Sequence, residues 1–450
     1  MKQLFGTDGM RGVAGEFPLD EQTVGILGFS LARRMREKLG REPRLVTGRD
    51  TRESGAWIEK AFHCGVKAAG GVCESAEVIT TPGVAAVTRL FDFDAGIVIS
   101  ASHNPYRDNG IKIFAPSGKK IEETAERLLE SDILEADKMQ TFNACSVDDS
   151  RAGEFVQAYI HHLTTDFQDL NLTNFKMVID CANGASSAIA PELFRSLGAT
   201  VTAINDEPDG LNINENCGSL HLEQLCAGVV AEKADFGVAY DGDADRALFV
   251  DENGTILDGD ATLWIMGKYL HDRHQLKNDT IVATVMSNIG LEIALASRGI
   301  KLLRTAVGDK YVLDELLKTC ASIGGEQSGH VIFPEKSLVG DGIVTTLFVL
   351  KAISESGETA SEMTAGFTRY PQTLVNIRVR EKQPFDSIAP IAAASHQIEQ
   401  ELDGTGRLLL RYSGTENLAR VMIEGKDQAD IEEKANRLAD VITANLGVAS

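Results

Sequence analysis

An α/β architecture with largely parallel sheets, closing in a small α+β domain at the carboxyl end, is the fold the sequence predicts. Through about the first 360 residues, short apolar runs of strand length alternate with amphipathic stretches of helical spacing, the pattern of βαβ units. The character changes near Arg369-Tyr370-Pro371, where Leu374-Val375-Asn376-Ile377-Arg378-Val379 alternates apolar and polar residues like a half-exposed strand. A chain of 450 residues is also longer than one common core supports, so about three or four domains are expected.

The first helix begins after Asp20, which can cap it, and repeats Val24, Leu27, Leu31 and Met35 on one stripe with Arg33, Arg34 and Glu37 off it. Apolar runs at 45–47, 95–99, 177–179, 236–240, 247–250 and 281–285 read as strands. The third of these leads through Ala182-Asn183-Gly184 into a helix near 191–197. Strand-like Val421-Met422-Ile423 precedes a final helix from Asp430, whose stripe is Ile431, Ala435, Leu438 and Ile442. Polar stretches at 137–150 and 251–260 are the expected boundaries between the earlier domains. The sequence shows no tandem repeat.

Hydrophobic residues at 43% and charged residues at 24% place the chain among soluble globular proteins. No apolar stretch is long enough to cross a bilayer, so no membrane partner is expected. The first twelve residues lack the apolar centre of a signal peptide, which predicts a cytoplasmic protein. The seven cysteines form no Cys-x-x-Cys pair and read as reduced structural residues. A formal charge of -22 argues against a broad nucleic-acid surface. It leaves room for a local basic pocket that takes a small phosphorylated ligand.

Two segments carry most of the chemistry. Ser100-Ala101-Ser102-His103-Asn104-Pro105 follows the run 95–99, so Ser102 emerges at the carboxyl end of a buried strand, where open α/β sheets place ligands. Asp241-Gly242-Asp243-Ala244-Asp245-Arg246 follows the run 236–240 and alternates three carboxylates with small residues. Such a set can converge on a hard divalent cation such as magnesium. A calcium EF-hand is the rival, with Glu252 at the twelfth loop position. Against it, Arg246 stands where that loop requires Gly, and strand-like flanks replace helices. A turn at Asn109-Gly110 would return Lys112 toward Ser102, where an ammonium could offset charge or assist proton transfer.

Three further segments read singly as ordinary loops. Gly6-Thr7-Asp8-Gly9-Met10-Arg11-Gly12 offers backbone amides and Arg11 to an anion without a Walker lysine. Gly324-Gly325-Glu326-Gln327-Ser328-Gly329-His330 suits the reading of sugar hydroxyls. Arg411-Tyr412-Ser413-Gly414-Thr415-Glu416 suits a phosphate monoester.

With these five segments, and with Phe5 ahead of the first and the Gly48-Arg49-Asp50-Thr51-Arg52 turn, the chain resembles the α-D-phosphohexomutase superfamily over nearly its whole length. Gly308-Asp309-Lys310-Tyr311-Val312 and Glu326-Gln327-Ser328 resemble its bacterial phosphoglucosamine mutase branch, while Met10 and Asn417 stand where Ile and Pro are usual. The resemblance implies four domains around a central cleft, three similar α/β domains with mixed sheets and a smaller C-terminal α+β domain. Their ranges are set at 1–148, 149–255, 256–368 and 369–450.

It further implies that phosphorylated Ser102 hands its phosphoryl group to glucosamine 6-phosphate and regains one from a 1,6-bisphosphate, giving glucosamine 1-phosphate for UDP-N-acetylglucosamine and cell-wall precursor synthesis. Ser102, Asp241, Asp243 and Asp245 would hold Mg2+, and Arg11, Lys112 and Arg246 would join Ser102 in catalysis. Asp309, Glu326, Ser328 and His330 would bind the sugar, and Arg411, Ser413, Gly414 and Thr415 the phosphate that is not reacting. Glucosamine 1,6-bisphosphate or glucose 1,6-bisphosphate would be the activator, the partner a small sugar phosphate, and a homodimer is allowed. The alternatives are a phosphoglucomutase or phosphomannomutase of the same superfamily and, more distantly, a non-enzymatic sugar-phosphate or calcium-binding protein.

Overall fold

The computed structural model describes residues 4–6, 8–136, 141–413 and 416–448. Thr7, Gly414 and Thr415, and residues 137–140 of the first expected boundary, lie outside the described residues. The chain forms two compact units, Met1–Thr284 with Leu303–Ala365, and Val285–Leu302 with Gly366–Ser450.

The first unit contains the expected strands. Its first sheet runs in the order Phe5–Gly6, Gly9–Val13, Asp108–Phe114, Ala95–Ile99, Arg44–Arg49, Val72–Val78. Arg44–Arg49 pairs in parallel with both Val72–Val78 and Ala95–Ile99. Asp108–Phe114 pairs antiparallel with Ala95–Ile99 and with Gly9–Val13. The sheet is therefore mixed, where apolar runs alone suggested largely parallel pairing. Residues 100–107 are too few for a crossover of a dozen or so residues, so the chain returns alongside the strand it has left.

The second sheet repeats that logic. Lys176–Asp180 is parallel to Thr200–Ile204 and to Phe236–Tyr240, while Ala247–Asp251 returns antiparallel after the short loop 241–246. A third pairs Thr280–Thr284 in parallel with Gly324–Gly325, which pairs antiparallel with Val331–Ile332.

The helix Glu21–Leu39 is capped by Asp20, whose carboxylate accepts the Thr23 N–H at 2.9 Å. Its stripe of Val24, Leu27 and Leu31 is buried in one core with Phe62, Ile97 and Ile111. Burying each such aliphatic side chain contributes about 1.5–3 kcal/mol, which is what holds this helix on the sheet.

In the second unit an antiparallel sheet of Gln372–Arg378, Leu418–Glu424 and Arg407–Tyr412 packs against Gln428–Leu446, in which Ile431, Ala435, Leu438 and Ile442 are fully buried. That helix starts ahead of Asp430 because Asp427 caps it through the Asp430 N–H. The helix Ile289–Ser297 joins the same unit, its Ile289 N–H donating to Glu424 at 3.1 Å.

One expectation is corrected. Cys64 and Cys145 are joined as a disulfide across 81 residues, so not all seven cysteines are reduced. Only the packing of residues around 145 against the helix Ser54–Ala68 brings them together, and sequence spacing does not show that. Among the described residues no helix is long and apolar enough to cross a membrane.

Candidate active site

Strand Ala95–Ile99 delivers the serine loop, and Ser102 is 1% exposed. Its Oγ donates a hydrogen bond to Asp241 and lies 3.3 Å from His103 Nδ1. Its N–H donates to Ser100 Oγ at 2.9 Å, and Ser100 Oγ donates to Asp50 at 2.6 Å. Asp241 belongs to the loop after Phe236–Tyr240, so two strand ends of two different sheets meet at this hydroxyl.

Each of Asp241, Asp243 and Asp245 offers an oxygen within 4.8 Å of those of the other two, and all three residues are buried. Gly242 permits the approach, because a Cβ there would stand 2.6 Å from the Ser102 carbonyl oxygen. Thr81 fixes Asp243 twice, through its hydroxyl to the carboxylate at 2.6 Å and its N–H to the carbonyl at 2.9 Å. Asp243 Oδ1 and Asp245 Oδ1 are buried without a hydrogen-bond partner. Leaving such oxygens dry and without a hydrogen bond is costly, and an all-carboxylate donor set with oxygens in that state fits a hard divalent cation.

Burial and the carboxylates of Asp245 and Asp243 push the Asp241 carboxyl well above its usual range. Burial also acts on Asp245, but Lys112 and His330 outweigh it and hold this group well below. Lys112 is 1% exposed, with Nζ at 2.9 Å from Asp243 and 3.3 Å from Asp245. Burial would strip its proton; Asp243, Asp8 and Asp245 instead hold the ammonium well above its ordinary range. The expected turn at Asn109-Gly110 is not what aims it. Both residues lie inside the strand Asp108–Phe114, and the chain has already turned in residues 100–107. Gly110 is there for space, since a Cβ would come within 2.6 Å of the Ser100 carbonyl oxygen.

Arg11 and Lys120 both pair with Asp8, and Lys120 also reaches Asp309 at 2.6 Å. Arg246 donates its backbone N–H to Asp241 at 3.2 Å and places Nε 3.7 Å from Asp245. The Nε atoms of Arg11 and Arg246 are buried with no hydrogen-bond partner. His330, 4% exposed, stands 3.6 Å from Asp245 and accepts the Gly340 N–H at 3.1 Å. Burial disfavours its charged form, yet Asp245, Asp309 and Glu326 raise its pKa. Glu326 accepts the Gly308 N–H at 3.1 Å, and half-buried Ser328 lies in the same turn.

In the second unit, Arg411 lies on the strand Arg407–Tyr412. Buried Ser413 follows it, its Oγ accepting the Glu416 N–H at 3.3 Å. The other two expected phosphate holders, Gly414 and Thr415, fall outside the described residues.

The first unit thus brings together Ser102, the three Asp, Lys112, Arg246 and His330, with Arg11 and Asp309 joined to them through Asp8 and Lys120. Sequence reasoning passed over Asp8, Lys120, Thr81 and His103. Asp8 and His103 sat inside motifs already quoted; Lys120 and Thr81 carry no local signal. Burial, together with Arg246 and Arg11, pushes the His103 imidazole down to about 4.

Family models for phosphoglucomutase/phosphomannomutase match along the chain: alpha/beta/alpha domain I over residues 2–140, domain II over 157–254, domain III over 258–370 and the C-terminal domain over 374–441. The chain is 46% identical over 449 residues to a phosphoglucosamine mutase of Solibacter usitatus, covering 99% of each. It is 45% identical over 453 residues to that of Caldicellulosiruptor saccharolyticus, covering 99% of this chain and 100% of the relative. In fold it is similar to a solved phosphoglucomutase/phosphomannomutase family protein of Burkholderia thailandensis, with a TM-score of 0.80 at 23% identity and 99% of each chain covered.

Proposed function

The chain belongs to the phosphoglucomutase/phosphomannomutase family, and on that premise we propose how its residues perform a phosphoglucosamine mutase reaction, the isomerisation its 42–46% identical relatives are named for. The observation that carries the reading is the Ser102 hydroxyl bonded to Asp241 within a buried carboxylate trio. Phosphorylated Ser102 donates its phosphoryl group to the 1-hydroxyl of glucosamine 6-phosphate. The bond from phosphorus to Ser102 Oγ breaks, one to the sugar oxygen forms, and the hydroxyl proton ends on Oγ. The 1,6-bisphosphate then turns over, and Ser102 Oγ takes the 6-phosphoryl group: the bond from phosphorus to the sugar 6-oxygen breaks, the Oγ proton ends on that oxygen, and glucosamine 1-phosphate and a restored phosphoserine remain. A glucosamine or glucose 1,6-bisphosphate would reload an enzyme that has lost its phosphate.

Asp241, Asp243, Asp245 and a phosphoserine oxygen would hold Mg2+, which when bound neutralises charge on the transferring group. Lys112, kept protonated by its carboxylates, offsets charge at the serine. Arg11 and Arg246 have N–H donors to give phosphoryl oxygens. Asp309, Glu326, Ser328 and His330 take the sugar. In the second unit Arg411 and Ser413, with Gly414 and Thr415, are phosphate holders.

Peptide mass spectrometry of the purified protein should find phosphate on Ser102, and Ser102→Ala should abolish turnover. Side-by-side kinetics should favour glucosamine 6-phosphate over glucose 6-phosphate and mannose 6-phosphate. Equal turnover of the three would overturn the choice of sugar, and full activity of Ser102→Ala the carrier.

A further inference from the structure

The transfer chemistry does not account for the backbone of Ser102, which lies in the left-handed region at φ 53°. That conformation costs a residue bearing a Cβ about 1–2 kcal/mol, so its surroundings must enforce it.

Arg52 does so from the turn after Arg44–Arg49, and it is 1% exposed. Its Nη2 donates to the carbonyl oxygens of Ser102 at 3.0 Å and Asn104 at 2.7 Å; its Nη1 donates to those of Pro105 and, at 3.0 Å, Asp108. Its Nε donates to Asp50 Oδ2 at 2.9 Å. All the guanidinium N–H groups are spent, three of them on the serine loop, one on the first residue of the strand that follows it and none on solvent. The same Asp50 oxygen accepts from Ser100 Oγ at 2.6 Å, and Ser100 Oγ accepts the Ser102 N–H at 2.9 Å. Both backbone polar groups of Ser102 therefore lead to one fully buried ion pair. From the second domain Asn214 Nδ2 reaches the same two carbonyls, Ser102 at 2.9 Å and Asn104 at 3.2 Å.

We propose that Arg52, aligned by Asp50 and seconded by Asn214, is a positioning residue for phosphoryl transfer: it locks the Ser102 backbone so that Oγ keeps one place beside Asp241 whether or not it carries phosphate. The inference rests on the reading of Ser102 as the phosphoryl carrier. That oxygen alternates between leaving group and nucleophile, while its charge changes by nearly two units with each transfer. A loop held only by its own turn would drift with that charge. A lysine could replace the charge of Arg52, but a single ammonium cannot span four carbonyls.

The test uses full-length wild type, Arg52→Lys and Asn214→Ala. It reads kcat and KM for glucosamine 6-phosphate, the Mg2+ titration midpoint, the melting curve, and the rate at which dephosphorylated enzyme regains phosphate on Ser102 from glucose 1,6-bisphosphate. In Arg52→Lys, kcat and the rephosphorylation rate should fall together by about 10- to 100-fold with KM and the Mg2+ midpoint within about threefold, the mark of a misplaced nucleophile. Asn214→Ala should move the same two rates in the same direction by less.

A folded Arg52→Lys with both rates within about twofold of wild type overturns the inference, as does one whose loss is only in KM or only in the fraction of active enzyme. If Arg52→Lys does not fold, Asn214→Ala decides, and unchanged rates there overturn it. A wild type that neither turns over nor carries phosphate on Ser102 overturns the carrier reading and this inference with it. A working wild type beside an unimpaired Arg52→Lys overturns this inference alone.

Discussion

Replacing Lys112 by Met tests the electrostatic construction of the site. The Nζ lies 2.9 Å from Asp243, 3.2 Å from Asp8 and 3.3 Å from Asp245, in a residue 1% exposed. At an effective dielectric constant of about 20, each contact near 3 Å is worth about 5 kcal/mol before the cost of drying the charges is subtracted. What remains when one partner of a buried pair is removed is typically about 3–5 kcal/mol, because the carboxylates stay buried and uncompensated. For a unit of this size that lowers the melting temperature by about 4–7 °C. Both tryptophans, Trp57 and Trp264, lie in the first unit, so their fluorescence reports its unfolding.

Lys112→Met should therefore melt early in EDTA and recover part of the loss in Mg2+. The double variant Lys112→Met with Asp243→Asn should be more stable than the two single losses predict, with a coupling of about 1–3 kcal/mol, since the second change removes a charge the first left stranded. Neither variant should regain activity, which falls by about 100-fold or more without the ammonium. Single losses that add to within about 0.5 kcal/mol, or a Lys112→Met that melts with wild type, would refute the charge argument.

Burial lifts the Asp341 carboxyl to about 6 against hydrogen bonds from Val344 and Tyr159 that favour its charge. A raised carboxyl stabilises the fold below its unfolded value and loses that contribution as pH rises through its folded one. Wild type should thus lose about 2–3 kcal/mol between pH 4 and 7 relative to Asp341→Asn, and parallel urea-denaturation profiles would sink this. Gly242→Ala should cut kcat by about 10- to 100-fold, because its Cβ would press on the Ser102 carbonyl oxygen; unimpaired kcat and Mg2+ titration would show that the two loops have slack.

What the sequence revealed follows from how far each signal travels along the chain. Strand Ala95–Ile99 is buried throughout and so reads as an unbroken apolar run; helix Gln428–Leu446 is buried on one side and shows a stripe. The aspartates announce themselves because three carboxylates fall within five residues. Arg52 and Asn214 are single polar residues in loops, and nothing local says that both end on the carbonyls of Ser102 and Asn104. Asn109-Gly110 was legible but misleading, since its composition is that of a turn while Gly110 answers to the nearness of Ser100 across the sheet. Cys64 and Cys145 failed for the reason Lys120 did: their partners are chosen by packing.

The same distinction explains how an acidic chain can take an anionic substrate. A formal charge of -22 repels a sugar phosphate at long range, but screening confines that repulsion to about 10 Å at ordinary ionic strength. Inside the site the cations divide by what they already hold. Lys112 and Lys120 are committed to Asp8, Asp243, Asp245 and Asp309, and they hold those carboxylates in place. Arg11 and Arg246 also pair with carboxylates, Asp8 and Asp245, but each retains a buried Nε with no hydrogen-bond partner, and a buried donor without a hydrogen bond is a standing cost that an incoming oxygen would remove. On the proposed reading, binding a phosphoryl group there would gain from groups the fold has already dehydrated, and affinity would come from donors held in reserve rather than from net positive charge.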